Sequence, residues 1–394
     1  MHDPQHRERE TMTLVPTIGS SFADSLDAAA QELAVLRRPA RNLDEQLASS
    51  ATMMRWLHHG GWTRLGWPEE VGGSGGSPTL RGQVYDDLAG RGYAIPDHMF
   101  VLEVVGPAVV RHAPALAAEV LPAALRGDEL WSQGFSEPEA GSDLASLRTR
   151  AVETDDGFTI TGQKIWTSYG ARADKIVLLA RTGTSESRHR GLTMLLVDLD
   201  QPGIERRPIA LASGREELSE IFFTDVHVGR DRLIGAVNGG WAVAMDLLQY
   251  ERGMYAWMRM ASTTERLREI LDEASPEVDG PIAHEAVGRA YLALAALRAR
   301  TAITLRRLAV GEVVGPETSI DKVLLATAEQ TVLDTARELV GTDFILGDGL
   351  RDTHWREEWW YSRAASIYGG AAEVQRTIIA DRLLGLPKET ISGR

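Results

Sequence analysis

Along this chain of 394 residues the spacing of apolar residues changes twice, and those two changes constrain the fold more than any other feature. From about Phe22 to Arg126 apolar residues recur at helical spacing in a stretch rich in Ala, Leu, Arg and Glu, interrupted by a Gly/Pro/Ser loop from Pro68 to Pro78. Pro107 and Pro114 read as helix boundaries. From about Leu130 to Ile234 the pattern shortens. Phe158–Gly162, Lys175–Ala180, Leu192–Val197 and Glu220–Phe223 are β-branched or apolar runs separated by Asp, Gly, Ser and Pro, as expected of strands in a small barrel or sandwich. From Gly240 helical spacing returns in long segments broken at Ser275–Pro281, Gly311–Pro316 and Gly341–Gly349. The reading is an α+β chain in three parts: a helical domain over 21–129, a β domain over 130–235 and a helical bundle over 236–394, preceded by a polar leader over 1–20.

Composition narrows the function classes. A net charge of −14 with no basic tail or stripe argues against nucleic acid as a partner, and no apolar run is long enough to span a membrane. The absence of cysteine removes disulfides, thiolate metal sites and a cysteine nucleophile, and no His/Asp/Glu cluster has metal-ligand spacing. The opening residues lack the apolar core of a secretory signal, so a cytoplasmic enzyme is the expectation.

Two segments carry chemistry. Phe135-Ser136-Glu137-Pro138-Glu139-Ala140-Gly141-Ser142-Asp143 is a run of small, turn-forming and hydroxyl residues whose backbone N–H groups can approach a polar heterocycle or phosphate. About twenty residues later, Gly162-Gln163-Lys164-Ile165-Trp166-Thr167-Ser168 offers an indole face beside two hydroxyls at the end of a strand-like run. Their order and spacing suit a flat aromatic cofactor with polar edges, a flavin. The plain alternative is a surface turn and a core tryptophan. The dinucleotide fingerprint is absent, since Gly73-Ser74-Gly75-Gly76-Ser77-Pro78 fails at its sixth position. The charged run Ser185–Arg190 reads as a solvated hairpin loop, with phosphate binding as the alternative.

Those two segments resemble the flavin-binding signature of the acyl-CoA dehydrogenase family. The likeness runs from the tracts Gly61-Trp62 and Trp67–Gly73 through Gly239-Gly240-Trp241, Glu251-Arg252 and Ile367-Tyr368-Gly369-Gly370 to Gln375-Arg376 and Leu384–Pro387. It implies bound FAD, with Phe135, Ser136, Thr167 and Ser168 at the flavin edge, Trp166 beside the ring, and Gly141 and Ser142 near the ribityl or pyrophosphate. Gly370 would meet the cofactor, and Glu373 and Gln375 its adenosine half. The same likeness implies an acyl-CoA or related acyl thioester as substrate, a place in fatty-acid or lipid metabolism, an electron-transfer flavoprotein as acceptor, and a homodimer or homotetramer.

Dehydrogenation of an acyl thioester needs a base for the α-proton. Many family members place a glutamate directly after the tyrosine near the C-terminus, where this chain has Gly369. A second group places it on a helix immediately before an arginine, and that position is Glu251, followed by Arg252. On a helix starting near Gly240, Glu251 falls amid Leu247, Leu248, Met254 and Tyr255, in the middle of an apolar face. A carboxylate so placed is either retained for function with a raised pKa or buried in an ion pair with an arginine. The resemblance makes Glu251 the base and puts Arg252, Tyr255 and Gly369 at the substrate pocket.

Two departures stand out. The Arg-x-x-Phe-Gly segment that homotetrameric members donate to a neighbour's FAD is missing from the loop Ala274–Pro281, and a later Gly-rich tract is reduced to Leu339-Val340-Gly341-Thr342. Such divergence fits a heterotetramer with a related chain as well as a diverged homomer. The rival readings are a flavin monooxygenase or oxidase on the same fold and a non-catalytic partner subunit.

Overall fold

A computed structural model describes residues 19–273 and 280–387; the leader through residue 18 and the 274–279 part of the divergent loop lie outside the described residues. Five helices come first: α1 (Gly19–Ala28), α2 (Leu43–His59), α3 (Thr79–Ala89), α4 (Asp97–His112) and α5 (Pro114–Arg126). Their ends follow local chemistry. Asn42 caps α2 by accepting from the Glu45 N–H at 2.9 Å. Pro114 opens α5 at its first turn, and Gly127 closes it at φ +76°, where a side chain would be strained. Pro107 corrects the sequence expectation, because it lies inside α4 rather than at its end. Tertiary packing overrides the break: most of α4 is buried, and Gly106 seats against Trp67 so closely that a Cβ would stand 2.6 Å from the indole.

Eight strands follow: β1 (Trp131–Gly134), β2 (Arg150–Glu153), β3 (Gly157–Ser168), β4 (Lys175–Arg181), β5 (Leu192–Asp198), β6 (Ile204–Ile209), β7 (Leu218–Gly229) and β8 (Leu233–Ile234). They pair in the order β6-β7-β3-β2-β4-β5-β8, with β1 parallel to β4. Strand pairing links the two halves where Arg150 pairs with Arg181. Phe158, Ile160, Ile221 and Phe223 from one half meet Ile176, Leu178, Leu195 and Val197 from the other in one core. Alternate residues of β4 and β5, Val177, Leu179, Met194 and Leu196, point outward into a second core with α4 and α5. Burial on both faces explains why these two strands read as unbroken apolar runs.

The last part holds α6 (Gly240–Arg252), α7 (Met254–Glu273), α8 (Pro281–Ala309), α9 (Thr318–Val340), α10 (Thr342–Leu346), α11 (Leu350–Ala364) and α12 (Ala372–Ile378). Leu267, Leu294, Leu297, Leu325, Val332 and Trp355 make the bundle core. The fold is helical, then β, then helical, as the periodicity implied.

Candidate active site

The two segments singled out by sequence lie side by side. The Ile165 N–H donates to the Ser136 carbonyl at 3.0 Å, and buried Lys164 reaches the Phe135 carbonyl at 3.1 Å. Glu137 clamps the turn: its carboxylate accepts from the Arg148 and Thr149 backbone N–H groups at 2.5 and 2.9 Å and from Lys164 Nζ at 2.8 Å. Burial pulls the Lys164 ammonium down to about 8 against the attraction of Glu137.

Beside this turn β3 slips register against β7 between Lys164 and Thr167, a bulge with one extra residue. Trp166 occupies it at φ +61°, with its side chain outward and 55% exposed. A tryptophan held in left-handed backbone and turned to solvent is strained for no gain in the free chain. Thr167 is buried, yet its hydroxyl has no partner. Ser168 lends its carbonyl to the Ser132 hydroxyl at 2.7 Å. The exposed indole on the bulge offers its face to a flat heterocycle, whereas the Thr167 hydroxyl, on a residue 1% exposed, is enclosed by protein. Gly141 and Ser142 are exposed at the far end of the turn, where neighbouring Asp143 pairs with Arg188 at 2.6 Å.

Glu251 sits in the last turn of α6, so the helical spacing to Met254 and Tyr255 is interrupted at Gly253. The helix stops at Arg252 and the chain turns at Gly253 into α7; a Cβ on Gly253 would stand 2.8 Å from Leu308 on α8, so the position takes glycine. Asp246 fixes α6 against α4 by bonding Arg111 at 2.6 Å and His112 at 3.0 Å. Gly240 lies directly on the Thr193–Met194 backbone of β5. The Glu251 carboxyl pKa is raised chiefly by desolvation, against the pull of Arg252 and Lys322, and Gln133 of β1 also favours its charged form. Among the described residues its Oε2 and the Arg252 Nε have no partners.

The two alternative base positions converge here. Gly369 lies at φ +63°, and a Cβ placed on it would stand 2.7 Å from Glu251 Oε1 and 3.0 Å from Lys322 Cε. The helix-borne carboxylate thus arrives where a side chain at 369 would begin. Gly370 at φ +95° leaves room for Gln375, whose buried amide is unpartnered. Glu373 is 82% exposed and lies 3.9 Å from Arg376. Tyr255 packs edge-on to Phe100 at 5.6 Å and to Tyr368 at 6.1 Å, forming an aromatic wall beside the carboxylate.

Sequence reasoning passed over Lys322. It is buried on α9, pulled down to about 8 by desolvation, bonded to the Ala365 carbonyl, and 4.3 Å from the centre of the Tyr368 ring. A lysine directly before Val323-Leu324-Leu325 was the available signal. Among the described residues no group of three His, Cys, Asp or Glu side chains is placed to hold a metal, and no helix is long and apolar enough to cross a membrane.

Comparison with known proteins decides the family. The acyl-CoA dehydrogenase middle domain matches residues 132–226, and the acyl-CoA dehydrogenase C-terminal domain matches residues 238–384. Acyl-CoA dehydrogenase IpdE1 of Mycobacterium tuberculosis is 36% identical over 372 residues, covering 93% of this chain and 96% of the relative. The chain belongs to the acyl-CoA dehydrogenase family. It is an oxidoreductase of that type. Solved structures agree on the fold. A variant of the Tcur3481-Tcur3483 steroid ACAD has a TM-score of 0.80 at 26% identity, covering 93% of this chain and all of that one. The ChsE4-ChsE5 complex from Mycobacterium tuberculosis has a TM-score of 0.76 at 27% identity, covering 99% of each chain.

Proposed function

We propose that the protein dehydrogenates an acyl-CoA at its α,β bond with FAD, and that Glu251 is the base. The observation that carries this reading is the meeting of Glu251 Oε1 with the empty side-chain position of Gly369. FAD bound along the Ser136–Trp166 edge supplies the hydride acceptor for the β-carbon. The remaining work falls to the chain. Glu251 takes the α-proton, and the product is an α,β-unsaturated thioester. Desolvation lifts the carboxyl toward the pKa useful for a base, while Arg252 and Lys322 keep it from becoming too weak an acid. Phe135, Ser136, Thr167 and Ser168 would hold the ring edge, with the Ser168 hydroxyl toward N5, Trp166 would lie beside the ring, and Gly141, Ser142, Gly370 and Glu373 would complete the cofactor's surroundings. Arg252, Tyr255 and Gly369 border the acyl group, with Phe100 and Tyr368 excluding water from the reacting carbons.

The same reading takes the boundaries 21–129, 130–235 and 236–394 as domains, and an electron-transfer flavoprotein as acceptor. The likeness to a protein titled a steroid ACAD supports a bulky acyl group, and the likeness to a complex of two named chains supports assembly with a second subunit.

Glu251→Gln tests the assignment. Anaerobic titration with a panel of acyl-CoAs should bleach the flavin of the wild type, and the variant should retain flavin but reduce about 10²–10⁴ times more slowly. In the wild type the rate should fall as acid protonates Glu251, at a pH above the ordinary carboxyl range. Reduction of the variant at the wild-type rate would exclude Glu251 as base.

A further inference from the structure

The strand that carries Trp166 ends between two strained residues. Trp166 stands at φ +61° and Tyr169 at φ +58°, both in the left-handed region that bulky side chains rarely adopt. Thr167 and Ser168 lie between them. Such backbone persists only where its surroundings over-determine it. Around Tyr169 they do. Its N–H donates to the Glu217 carbonyl at 2.7 Å, and its own carbonyl accepts from the Arg172 and Ala173 N–H groups at 2.7 and 2.8 Å. The turn then folds back so tightly that a Cβ on Gly170 would stand 2.9 Å from Thr167 Cγ2.

Those bonds stay among the strands and their turns, but the Tyr169 phenol reaches beyond them. Its ring is buried in the core between the two halves of the sheet, and its hydroxyl donates to Asp97 Oδ1 at 2.8 Å. Asp97 is buried too and opens α4, where a helix N-terminus favours a carboxylate. The same Oδ1 accepts from Gln46 Nε2 of α2 at 2.8 Å. Gln46 Oε1 in turn accepts from Arg215, in the loop between β6 and β7. One turn along α4, on the face that carries Asp97, Phe100 packs edge-on to Tyr255 at 5.6 Å. The phenol–carboxylate bond therefore runs from the residue after Ser168 to the helix that walls the acyl group. A bond that merely joined two domains would need no left-handed backbone at either end. This one ends on the residue whose conformation aims Ser168.

We propose, building on FAD along the Ser136–Trp166 edge, that Tyr169 and Asp97 are positioning residues. Their hydrogen bond holds the Trp166–Ser168 edge in its flavin-binding shape before the cofactor arrives, and sets that edge in register with the acyl wall. Without the bond the left-handed turn relaxes in the flavin-free chain, and FAD must restore it on binding at a cost in affinity. Fluorescence titration of stripped protein with FAD is the measurement, and it involves neither substrate nor Glu251. Tyr169→Phe and Asp97→Ala should each weaken FAD about tenfold. The double substitution should weaken it no further than either alone, because the two remove one shared bond. Asp97→Asn should keep most of the affinity, since a single oxygen takes both bonds and an amide oxygen accepts the same pair. Urea denaturation of the same stripped proteins reads the purely structural share. A lower unfolding midpoint with wild-type FAD affinity in Tyr169→Phe overturns the proposal. So do losses that add in the double variant, or a loss in Asp97→Asn as large as in Asp97→Ala. Tyr169→Phe removes one oxygen and leaves the core filled, so its affinity decides the matter if Asp97→Ala does not fold. Failure of the flavin reading shows separately, as wild-type protein that takes up no FAD.

Discussion

Gly369→Ala probes the geometry of the site with a single carbon. The new methyl would sit 2.7 Å from Glu251 Oε1 and 3.0 Å from Lys322 Cε. The carboxylate is the freer of the two, so it retreats by about half an ångström or more to reach ordinary contact. A displacement of 1 Å at a reacting group costs on the order of 10²-fold, so about tenfold is expected here. The backbone adds its own cost: φ at +63° is left-handed, and an alanine there is less stable than glycine by about 1–2 kcal/mol. Anaerobic stopped-flow with a reducing acyl-CoA should therefore show flavin reduction slowed about tenfold at unchanged flavin content, together with a lower unfolding midpoint. Gly288→Ala, within α8, is the control, since a Cβ there meets nothing within 4 Å and φ is ordinary. Full-speed reduction by Gly369→Ala would show that the carboxylate does not work from the place assigned to it.

Trp166→Gly should separate folding from cofactor binding. Relief of the left-handed backbone at φ +61° stabilises the flavin-free protein by about 1 kcal/mol, while loss of the exposed indole weakens FAD about tenfold. Thermal unfolding of stripped protein and a fluorescence titration with FAD read the two effects, and weaker folding with unchanged affinity would contradict both. Glu137→Gln leaves the Lys164 ammonium buried without its counter-charge at 2.8 Å and should cost about 3–5 kcal/mol in urea denaturation. An unchanged midpoint would show that the clamp is dispensable. His98, buried against the Ser50 hydroxyl at 2.7 Å, is held down to about 4 by burial and by Arg55. The unfolded chain binds that proton first, so this stability is complete above about pH 6.5 and lost as pH falls toward about 4, roughly 3 kcal/mol in all. His98→Asn should flatten this acid limb of the stability profile, and a limb of unaltered slope would refute the assignment.

Much of the architecture was legible because burial leaves a period in the sequence. Helical spacing before about Arg126 and after Gly240, and strand runs between them, follow from which face each element hides. Pro107 misled because proline reports a local cost, whereas the packing of α4 on Trp67 and α5 is non-local. Glu251 misled in part for a similar reason. Spacing alone continues the helix through Gly253, and the approach of α8, which leaves no room for a Cβ there, is not local.

By itself the sequence determined the three-part order of elements, the two segments that resemble a flavin-binding signature, and the candidacy of Glu251 through the glycine at 369. These are properties of neighbours along the chain, or of a residue type that either has a carboxyl or lacks one. Only the tertiary structure decided that Glu251 Oε1 ends where a side chain on Gly369 would begin, that Trp166 turns outward from a bulge, and that Lys322 lies against the Tyr368 ring. Those facts depend on distances between residues up to more than a hundred positions apart. Packing of the helices against one another and against the sheet sets such distances, and no local periodicity encodes them.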